Sequence, residues 1–227
     1  MLLGQLILSP GGRGKAAPGR LYGLSVLRAE VDRSGFWGER RLRRAGKGLR
    51  LGGALRVLVP GDFAQWPMLR SFGLRPVEPE GFVRGQSVPL ALAALERQGL
   101  SPDRATVALR GRRAGREMAR AAALLSPKVR RLVVDAPQGG QELAEWLRME
   151  FGIPILPPDQ PGQAALRFQP DCPRLEEASL DLYGPRPQLA GLKLSAPELA
   201  EEDREDLALL AALWEGGRLA PEAIKIT

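Results

Sequence analysis

Residues 104–157 decide the fold, and they read RATVALRGRRAGREMARAAALLSPKVRRLVVDAPQGGQELAEWLRMEFGIPILP. Three short apolar runs, at 106–109, 132–135 and 153–156, alternate with two stretches of helical spacing, at 116–126 and 141–151. The apolar runs are too short and too uniformly apolar to have one wet face, so we expect strands that are buried on both faces. The stretch therefore predicts a βαβαβ unit of a parallel, doubly wound sheet.

The two predicted helices rest on the spacing of their apolar residues. In the first, Met118, Ala122 and Leu125 fall at i, i+4 and i+7, which places them on one face of a helix. The second repeats this spacing from Leu143 onward and is followed by Gly152, a residue that often ends a helix in the left-handed conformation.

The rest of the chain extends this alternation in one direction only. Residues 55–156 alternate strand and helix throughout, whereas prolines punctuate the stretch after them. Short strand candidates follow there at 164–168, 179–183 and 189–194. We predict an α/β fold with a mostly parallel, doubly wound sheet, helices on both faces and an antiparallel C-terminal extension.

Three segments are predicted. Residues 1–30 would form a hairpin of strands 2–8 and 21–27 around a basic, glycine-rich loop, residues 31–158 the α/β core, and residues 159–227 a strand-rich extension with one amphipathic helix. Gly14-Lys15 in the first segment does not belong to a Walker phosphate loop. Ser9 stands where the first glycine is needed, and Ala16 stands where the motif has Ser or Thr.

Composition excludes several kinds of chemistry. The chain of 227 residues contains no histidine and one cysteine, Cys172. Histidine-based nucleophile pairs, imidazole metal ligands and internal disulfides are therefore excluded, and no metal site is predicted. No run reaches the roughly 18–20 apolar residues of a membrane span. The short apolar start is read as a strand, and we expect a cytoplasmic protein without membrane contact.

Charge is distributed unevenly along the chain. The net charge is +9 over residues 1–60, +4 over 61–156 and −6 over 157–227. A basic front and an acidic tail indicate either polyanion binding at one end or docking of the two ends on each other. A third interpretation is compositional bias, because only five of the 33 basic residues are lysine, as a GC-rich genome favours.

A basic helix is predicted at 36–51. Its thin apolar stripe is Leu42, Ala45 and Leu49, and its other faces carry six arginines and lysines. Such a helix could lie along the phosphate backbone of a nucleic acid. Together with the basic residues from 13 onward, it makes nucleic acid or a protein a candidate partner, with a solvated helix face as the alternative.

Ligands of open parallel sheets bind beyond the carboxyl ends of the strands. Three loops fit this position here, at 60–62, 110–115 and 135–140. In the first of them, Asp62 is a candidate N-cap of the helix that follows.

The loop at 110–115 and Asp135 resemble the nucleotide-binding region of NAD(P)-dependent Rossmann proteins, such as the cofactor domains of shikimate dehydrogenase and glutamyl-tRNA reductase. The resemblance covers residues 104–156. Gly111 matches the first glycine of the motif, and Asp135 matches the acid that binds the ribose. Arg113 and Arg116 replace the second and third glycines, while Gly115 is displaced by one position. The resemblance implies a Rossmann-like core and, in one alternative, an NAD(P) cofactor. The layout of the chain also resembles bacterial proteins of anaerobic Gram-positive species, which implies no activity.

The same loop concentrates positive charge at a predicted helix N-terminus, where backbone N–H groups already favour anions. The predicted ligand-binding residues are Arg110, Gly111, Arg112, Arg113, Arg116, Asp135, Gly139 and Gly140. Arginine forks suit phosphate groups. The alternative is that these arginines are solvated and pair with Glu117 or Glu142.

Three functions follow from these patterns. The first is a Rossmann-like protein that binds a nucleotide or another phosphate-bearing ligand without catalysis. The second is a relative of NAD(P)-dependent oxidoreductases. The third is a module that binds RNA or a protein partner through the basic N-terminal region. Neither an oligomeric state nor a catalytic residue can be assigned from the sequence.

Overall fold

A computed structural model describes residues 2–172 and 174–227. The chain forms two compact units. The first consists of Met1–Glu78 and Leu199–Ala220, and the second of Pro79–Glu198 and Pro221–Thr227. These units cut the chain differently from the predicted segments 1–30, 31–158 and 159–227.

The described residues form twelve strands and seven α-helices. The strands are β1 (Leu3–Leu8), β2 (Arg13–Leu21), β3 (Leu24–Val31), β4 (Arg56–Leu58), β5 (Arg75–Pro76), β6 (Thr106–Arg110), β7 (Arg131–Asp135), β8 (Ile155–Leu156), β9 (Ala164–Arg167), β10 (Ala178–Asp181), β11 (Leu194–Ser195) and β12 (Lys225–Ile226). The helices are α1 (Gly38–Leu51), α2 (Trp66–Ser71), α3 (Glu80–Gly85), α4 (Ser87–Arg97), α5 (Arg116–Leu125), α6 (Gly140–Phe151) and α7 (Leu207–Glu215).

The fold class predicted from the sequence is confirmed. Mostly parallel strands are flanked by helices, and a small antiparallel sheet, β11 with β12, lies near the C-terminus. The parallel strands form two five-stranded sheets rather than the single sheet that was expected. The predicted βαβαβ unit is present as β6, α5, β7, α6 and β8.

The first unit contains a sheet of order β2-β3-β1-β4-β5. Strands β1, β3, β4 and β5 are parallel, and β2 is an antiparallel edge strand. Helix α1 connects β3 to β4, and the predicted stripe of Leu42, Ala45 and Leu49 is buried in the core of this unit. The N-terminus of α1 consequently lies at the carboxyl ends of β1 and β3.

The predicted hairpin of strands 2–8 and 21–27 is wrong. These segments belong to β1 and β3, which are parallel neighbours. The supposed loop between them is mostly strand β2, and β2 forms the hairpin with β3. Tyr22 and Gly23 connect the two strands with φ values of 45° and 83°, as a type I′ turn requires.

Glycines bring β2 into close contact with α1. Gly14 has a φ of +69°, and a Cβ atom there would lie 2.2 Å from the carbonyl oxygen of Arg41. On the helix, a Cβ atom at Gly48 would lie 3.2 Å from the Cβ of Ala16. Gly14 on β2 and Gly48 on α1 are therefore the residues that let this strand pack on the helix, although glycine weakens the sequence pattern of either element.

The second unit contains an all-parallel sheet of order β10-β9-β6-β7-β8. Read from β8, this is the strand order of dinucleotide-binding α/β folds, which reverses between the first and fourth strands, here β6 and β9. The sheet core is formed by Ala108, Val133 and Ala165.

The expectation that 164–168 and 179–183 form an antiparallel extension is wrong, because β9 and β10 lie parallel in this sheet. The connection from β8 to β9 is residues 157–163. A chain of that length reaches about 23 Å, and three strand spacings are about 14 Å. The chain can therefore cross to the far side of β6 without a helix.

The predicted N-cap at Asp62 is also wrong. Helix α2 begins at Trp66, with Gln65 at the N-cap position. Asp62 is exposed in a turn in which the backbone N–H of Phe63 donates to the carbonyl oxygen of Pro60. Pro67 in the first turn of α2 favours this later start.

Candidate functional site: a basic groove in the first unit and the strand ends of the second

Arg110, the last residue of β6, is the most buried charged group of the second unit. Its Nε donates to the Glu176 carboxylate at 3.0 and 3.1 Å. Its Nη1 donates to Asp135 Oδ2 and to the carbonyl oxygen of Pro158, both at 2.9 Å. Its Nη2 donates to the carbonyl oxygen of Gln160 at 3.1 Å and to Glu176. A guanidinium has five N–H groups, and all of them are used inside the protein.

The acceptors around Arg110 keep it charged. Burial lowers the pKa of Arg110, but the hydrogen bonds and charges of Glu176 and Asp135 outweigh burial and raise the pKa above its ordinary value. Because no N–H group is left over, the prediction that Arg110 contacts a bound anion is not supported. Asp135, the predicted ribose ligand, is held by the same guanidinium.

The predicted phosphate loop uses its backbone donors internally. The N–H of Gly111 donates to the carbonyl oxygen of Asp135 at 2.9 Å, and that of Ala114 donates to the carbonyl oxygen of Gln138 at 2.8 Å. The N–H of Gly115 donates to Arg113 at 2.9 Å. The first two bonds tie the loop after β6 to the end of β7 and the loop after it, and the third lies within the loop after β6. These three N–H groups therefore do not point at a ligand.

Protein groups also bridge the crevice between the ends of β6 and β9, where folds of this strand order bind dinucleotides. The side chain of Gln169 accepts from the backbone N–H of Arg112 at 2.7 Å. The Arg112 guanidinium pairs with Asp171 at 2.6 Å, with about two thirds of each side chain exposed. An exposed pair contributes little stability, but it stands in the space that the NAD(P) alternative requires.

A cleft of about 480 Å³ lies on the other side, at the ends of β7 and β8. The polar or helix-terminal residues that line it are Asp135, Gly140, Gln141 and Arg148. The remaining lining residues are mostly apolar. Gly139 precedes α6 with a φ of 75°. Of the predicted ligand residues, Asp135 and Gly140 therefore line a real cleft.

The other predicted arginines of this loop are on the surface. Arg112, Arg113 and Arg116 are exposed, the last at the start of α5. Glu176, which decides the role of Arg110, was not predicted. It lies 66 residues further along the chain, so no local pattern links the two.

The first unit has a groove of about 710 Å³ with a different character. Its lining is dominated by cations and aromatic rings: Arg13, Trp37, Arg40, Arg41, Arg43, Arg44, Lys47 and Phe72. Arg13 comes from β2, and Phe72 directly follows α2. The other six residues belong to α1 or immediately precede it. The close packing of β2 on α1 is what adds Arg13 to the helix residues.

The groove cations outnumber the acids near them. Of the six arginines and lysines, two form ion pairs within the described part of the chain. Arg41 pairs with Asp32 at 3.2 Å, and Arg43 pairs with Glu39 at 2.7 Å. The groove therefore has a surplus of four positive charges and attracts polyanions.

Asp32 fixes the loop that leads into α1. Its Oδ1 accepts from the hydroxyl of Ser34 at 2.5 Å and from the backbone N–H of Ser34 at 2.8 Å, and its Oδ2 accepts from the N–H of Gly11 at 3.1 Å. These bonds, with the charge of Arg41, lower the pKa of Asp32 from 3.8 to about 2. The loop after β3 is thus tied to the turn after β1.

Two aromatic side chains stand at the N-terminal end of the groove. Phe36 is 91% exposed and Trp37 is 52% exposed. Their rings meet edge to face, with centroids 5.3 Å apart. The guanidinium carbon of Arg40 lies 5.2 Å from the centre of the Trp37 ring. Both residues fall in the segment 36–51 that was predicted as a basic helix, and that pattern assigns neither of them a role.

No protein-family model matches this chain, and no curated protein matches it. Among solved structures, this chain is similar to L-tryptophan dehydrogenase from Nostoc punctiforme, at 17% sequence identity and a TM-score of 0.33. The match covers 73% of this chain and 55% of the dehydrogenase chain. This chain thus spans little more than half of that structure, and the likeness carries no argument about function.

Two further findings concern the residues that the structure describes. They contain no group of three or more His, Cys, Asp or Glu side chains that could hold a metal ion. They also contain no helix long and apolar enough to cross a membrane.

Removing Glu176 should destabilise the second unit strongly. Glu176→Ala leaves the fully buried Arg110 charge without its main partner, which costs about 3–5 kcal/mol in the free energy of unfolding. The neighbouring Glu177→Ala removes an exposed carboxylate and should change it by less than about 0.5 kcal/mol. Urea unfolding, followed by hydrogen exchange of the β6 amides, measures both variants. Equal effects of the two variants would contradict the buried pair.

Asp32 should titrate near pH 2. Its pKa is lower in the folded chain than in the unfolded chain, so its contribution to stability is complete above about pH 4 and is lost as the pH falls through about 2. Carbon-detected NMR of the Asp32 carboxyl measures the midpoint. Ser34→Ala removes the strongest hydrogen bond and should move the midpoint toward 3.8. Ser71→Ala, which removes a hydroxyl bonded to Met68, should leave it unchanged.

Proposed function

We propose that the first unit binds nucleic acid through the basic groove on α1. The observation that carries this proposal is the collection of six cations from two elements around one groove, with two acids to compensate them. Compositional bias would raise the number of arginines everywhere on the surface. Compositional bias does not explain why β2, which packs closely on α1 through glycines, places Arg13 beside the cations of that helix.

The dimensions of the groove suit a phosphate backbone. Helix α1 has 14 residues, which corresponds to a length of about 21 Å. Arg40, Arg44 and Lys47 recur at i, i+4 and i+7, so they follow one face of the helix along that length. A strand lying there would exchange its condensed counterions for these side chains.

Salt dependence gives the first test. With four phosphates neutralised, the affinity for a single-stranded RNA should fall with a slope of about −2.8 in log K against log salt. Arg40→Gln with Arg44→Gln should reduce the slope to about −1.4 and weaken binding about 20-fold at 0.1 M salt. Fluorescence anisotropy of a labelled 12-nucleotide RNA measures both quantities.

A matched variant controls for net charge. Arg120→Gln with Arg130→Gln removes the same charge from exposed positions of the second unit and should leave the affinity within about twofold. If both double variants weaken binding equally, the arginines act only through total charge and the groove is not the site. If the unaltered chain does not bind RNA at low salt, the proposal is wrong.

The second unit supports a second candidate function, the binding of a phosphate-bearing small molecule. The cleft beside Asp135 and Gly140 is the observation that favours it. Arg148 is the cation that lines this cleft, and it is the candidate contact for the phosphate. The predicted residues Gly139, Arg113 and Arg116 are not among the lining residues, and Arg110 and Gly111 serve the fold. The proposal does not include catalysis.

Thermal unfolding against ATP and NADH at 0.15 M salt tests this candidate. A ligand at 100 times its dissociation constant should add about 2.7 kcal/mol to the stability of the second unit. Arg148→Gln should abolish the shift, whereas Arg120→Gln, which removes an exposed arginine of α5 that does not line the cleft, should keep it. A shift with NADH alone would favour the oxidoreductase alternative, and no shift with either nucleotide would contradict this second candidate.

A further inference from the structure

The aromatic pair of Phe36 and Trp37 is costly to expose. Phe36 leaves 91% of its surface in water, although burying a phenyl ring is favourable. The two rings are adjacent in sequence, directly before α1, and Trp37 is part of the groove lining. The largest exposed aromatic surface of the first unit therefore stands at the mouth of its most basic groove.

The segment that carries the rings is anchored on several sides. Asp32 binds both the turn at Gly11 and the residue Ser34. Gly38 lies so close to the preceding chain that a Cβ atom there would be 2.3 Å from the carbonyl oxygen of Arg33. Arg40 lies over the Trp37 ring. The backbone that carries the rings is thus anchored beside the cations, and the Trp37 ring contacts both Phe36 and Arg40.

We infer that Phe36 and Trp37 form a stacking platform for an unpaired base, so that the groove selects single-stranded over duplex nucleic acid. This inference rests on the proposed function of the groove. Bases stack on aromatic side chains whatever their sequence, because every base has a π-face. In a duplex the neighbouring base pairs cover those faces, so only an unpaired or terminal base can use the platform.

Charge and stacking make separable contributions. The cations of α1 bind phosphates of either a single strand or a duplex, and this contribution weakens with salt. Stacking on the rings requires a free base and involves no counterion release. Variants of the rings should therefore change the preference for single strands and leave the salt slope unchanged. Variants of the cations should change the salt slope and leave the preference for single strands unchanged.

The experiment compares three probes by fluorescence anisotropy at the same salt concentration. They are a 12-nucleotide single-stranded RNA, a duplex of the same sequence with both ends closed by non-nucleotide linkers, and a 12-residue abasic strand. The unaltered chain should bind the single strand at least tenfold more tightly than either of the others. Phe36→Ala with Trp37→Leu should weaken single-strand binding about tenfold, change duplex binding less than twofold, and keep the salt slope.

The chain offers a matched control. Trp146 and Phe151 are a second edge-to-face pair, with centroids 5.5 Å apart and exposures of 43% and 41%. They belong to α6 and are not among the residues that line the groove. Trp146→Leu with Phe151→Ala should leave all three affinities unchanged. Circular dichroism of each variant confirms that it is folded, and Phe36→Ala alone gives a second, milder ring variant.

The outcomes separate this inference from the proposed function. If no probe binds, both are wrong. If the probes bind with the expected salt slope but the single strand, the duplex and the abasic strand bind equally, the groove binds phosphate and the stacking platform is refuted. The same conclusion follows if the ring variants weaken binding of all three probes by the same factor.

Discussion

The contact between Gly14 of β2 and the carbonyl oxygen of Arg41 in α1 constrains the whole first unit. No side chain fits there, because a Cβ atom would lie 2.2 Å from that oxygen. The edge strand therefore lies directly on the helix, and its own cation joins those of α1. Concentrating like charges in this way opposes folding through self-repulsion. The nearby carboxylate of Asp32 reduces that repulsion and also orders the loop before the helix.

The buried arginines of the second unit differ from the groove arginines of the first unit in how they are paired. Every N–H donor of Arg110 in the second unit bonds to the protein itself. The nearly unexposed Arg167 pairs with Asp181 at 2.5 Å. The cations of the α1 groove stay exposed and largely uncompensated. A group that is already satisfied gains little from a ligand, whereas an exposed cation still has hydrogen bonds and counterions to exchange. The groove cations therefore keep a capacity to bind anions that Arg110 lacks.

The sequence predicted local structure well wherever one period of apolar residues dominated. The buried stripe of α1 and the alternation from Thr106 to Leu156 are examples. It failed at β2, because glycines that permit a close approach look like loop residues in a pattern. It also did not reveal the internal role of Arg110, because that residue is followed by an arginine-rich loop and only the fold brings Glu176 to it. Long-range pairing of charges leaves no periodic trace in a sequence, so solvent-facing and internal arginines look alike.

The long-range character of the Arg110 network has a kinetic side. Its acceptors come from β7, from the connection before β9 and from Glu176, 66 residues away. These segments meet only after the sheet has largely assembled, since distant contacts must first overcome the entropy of closing the loops between them. Interactions that form after the folding transition state mainly slow unfolding. The hydrogen bonds of the buried guanidinium should thus form late in folding. They should lengthen the lifetime of the folded second unit more than they speed its formation.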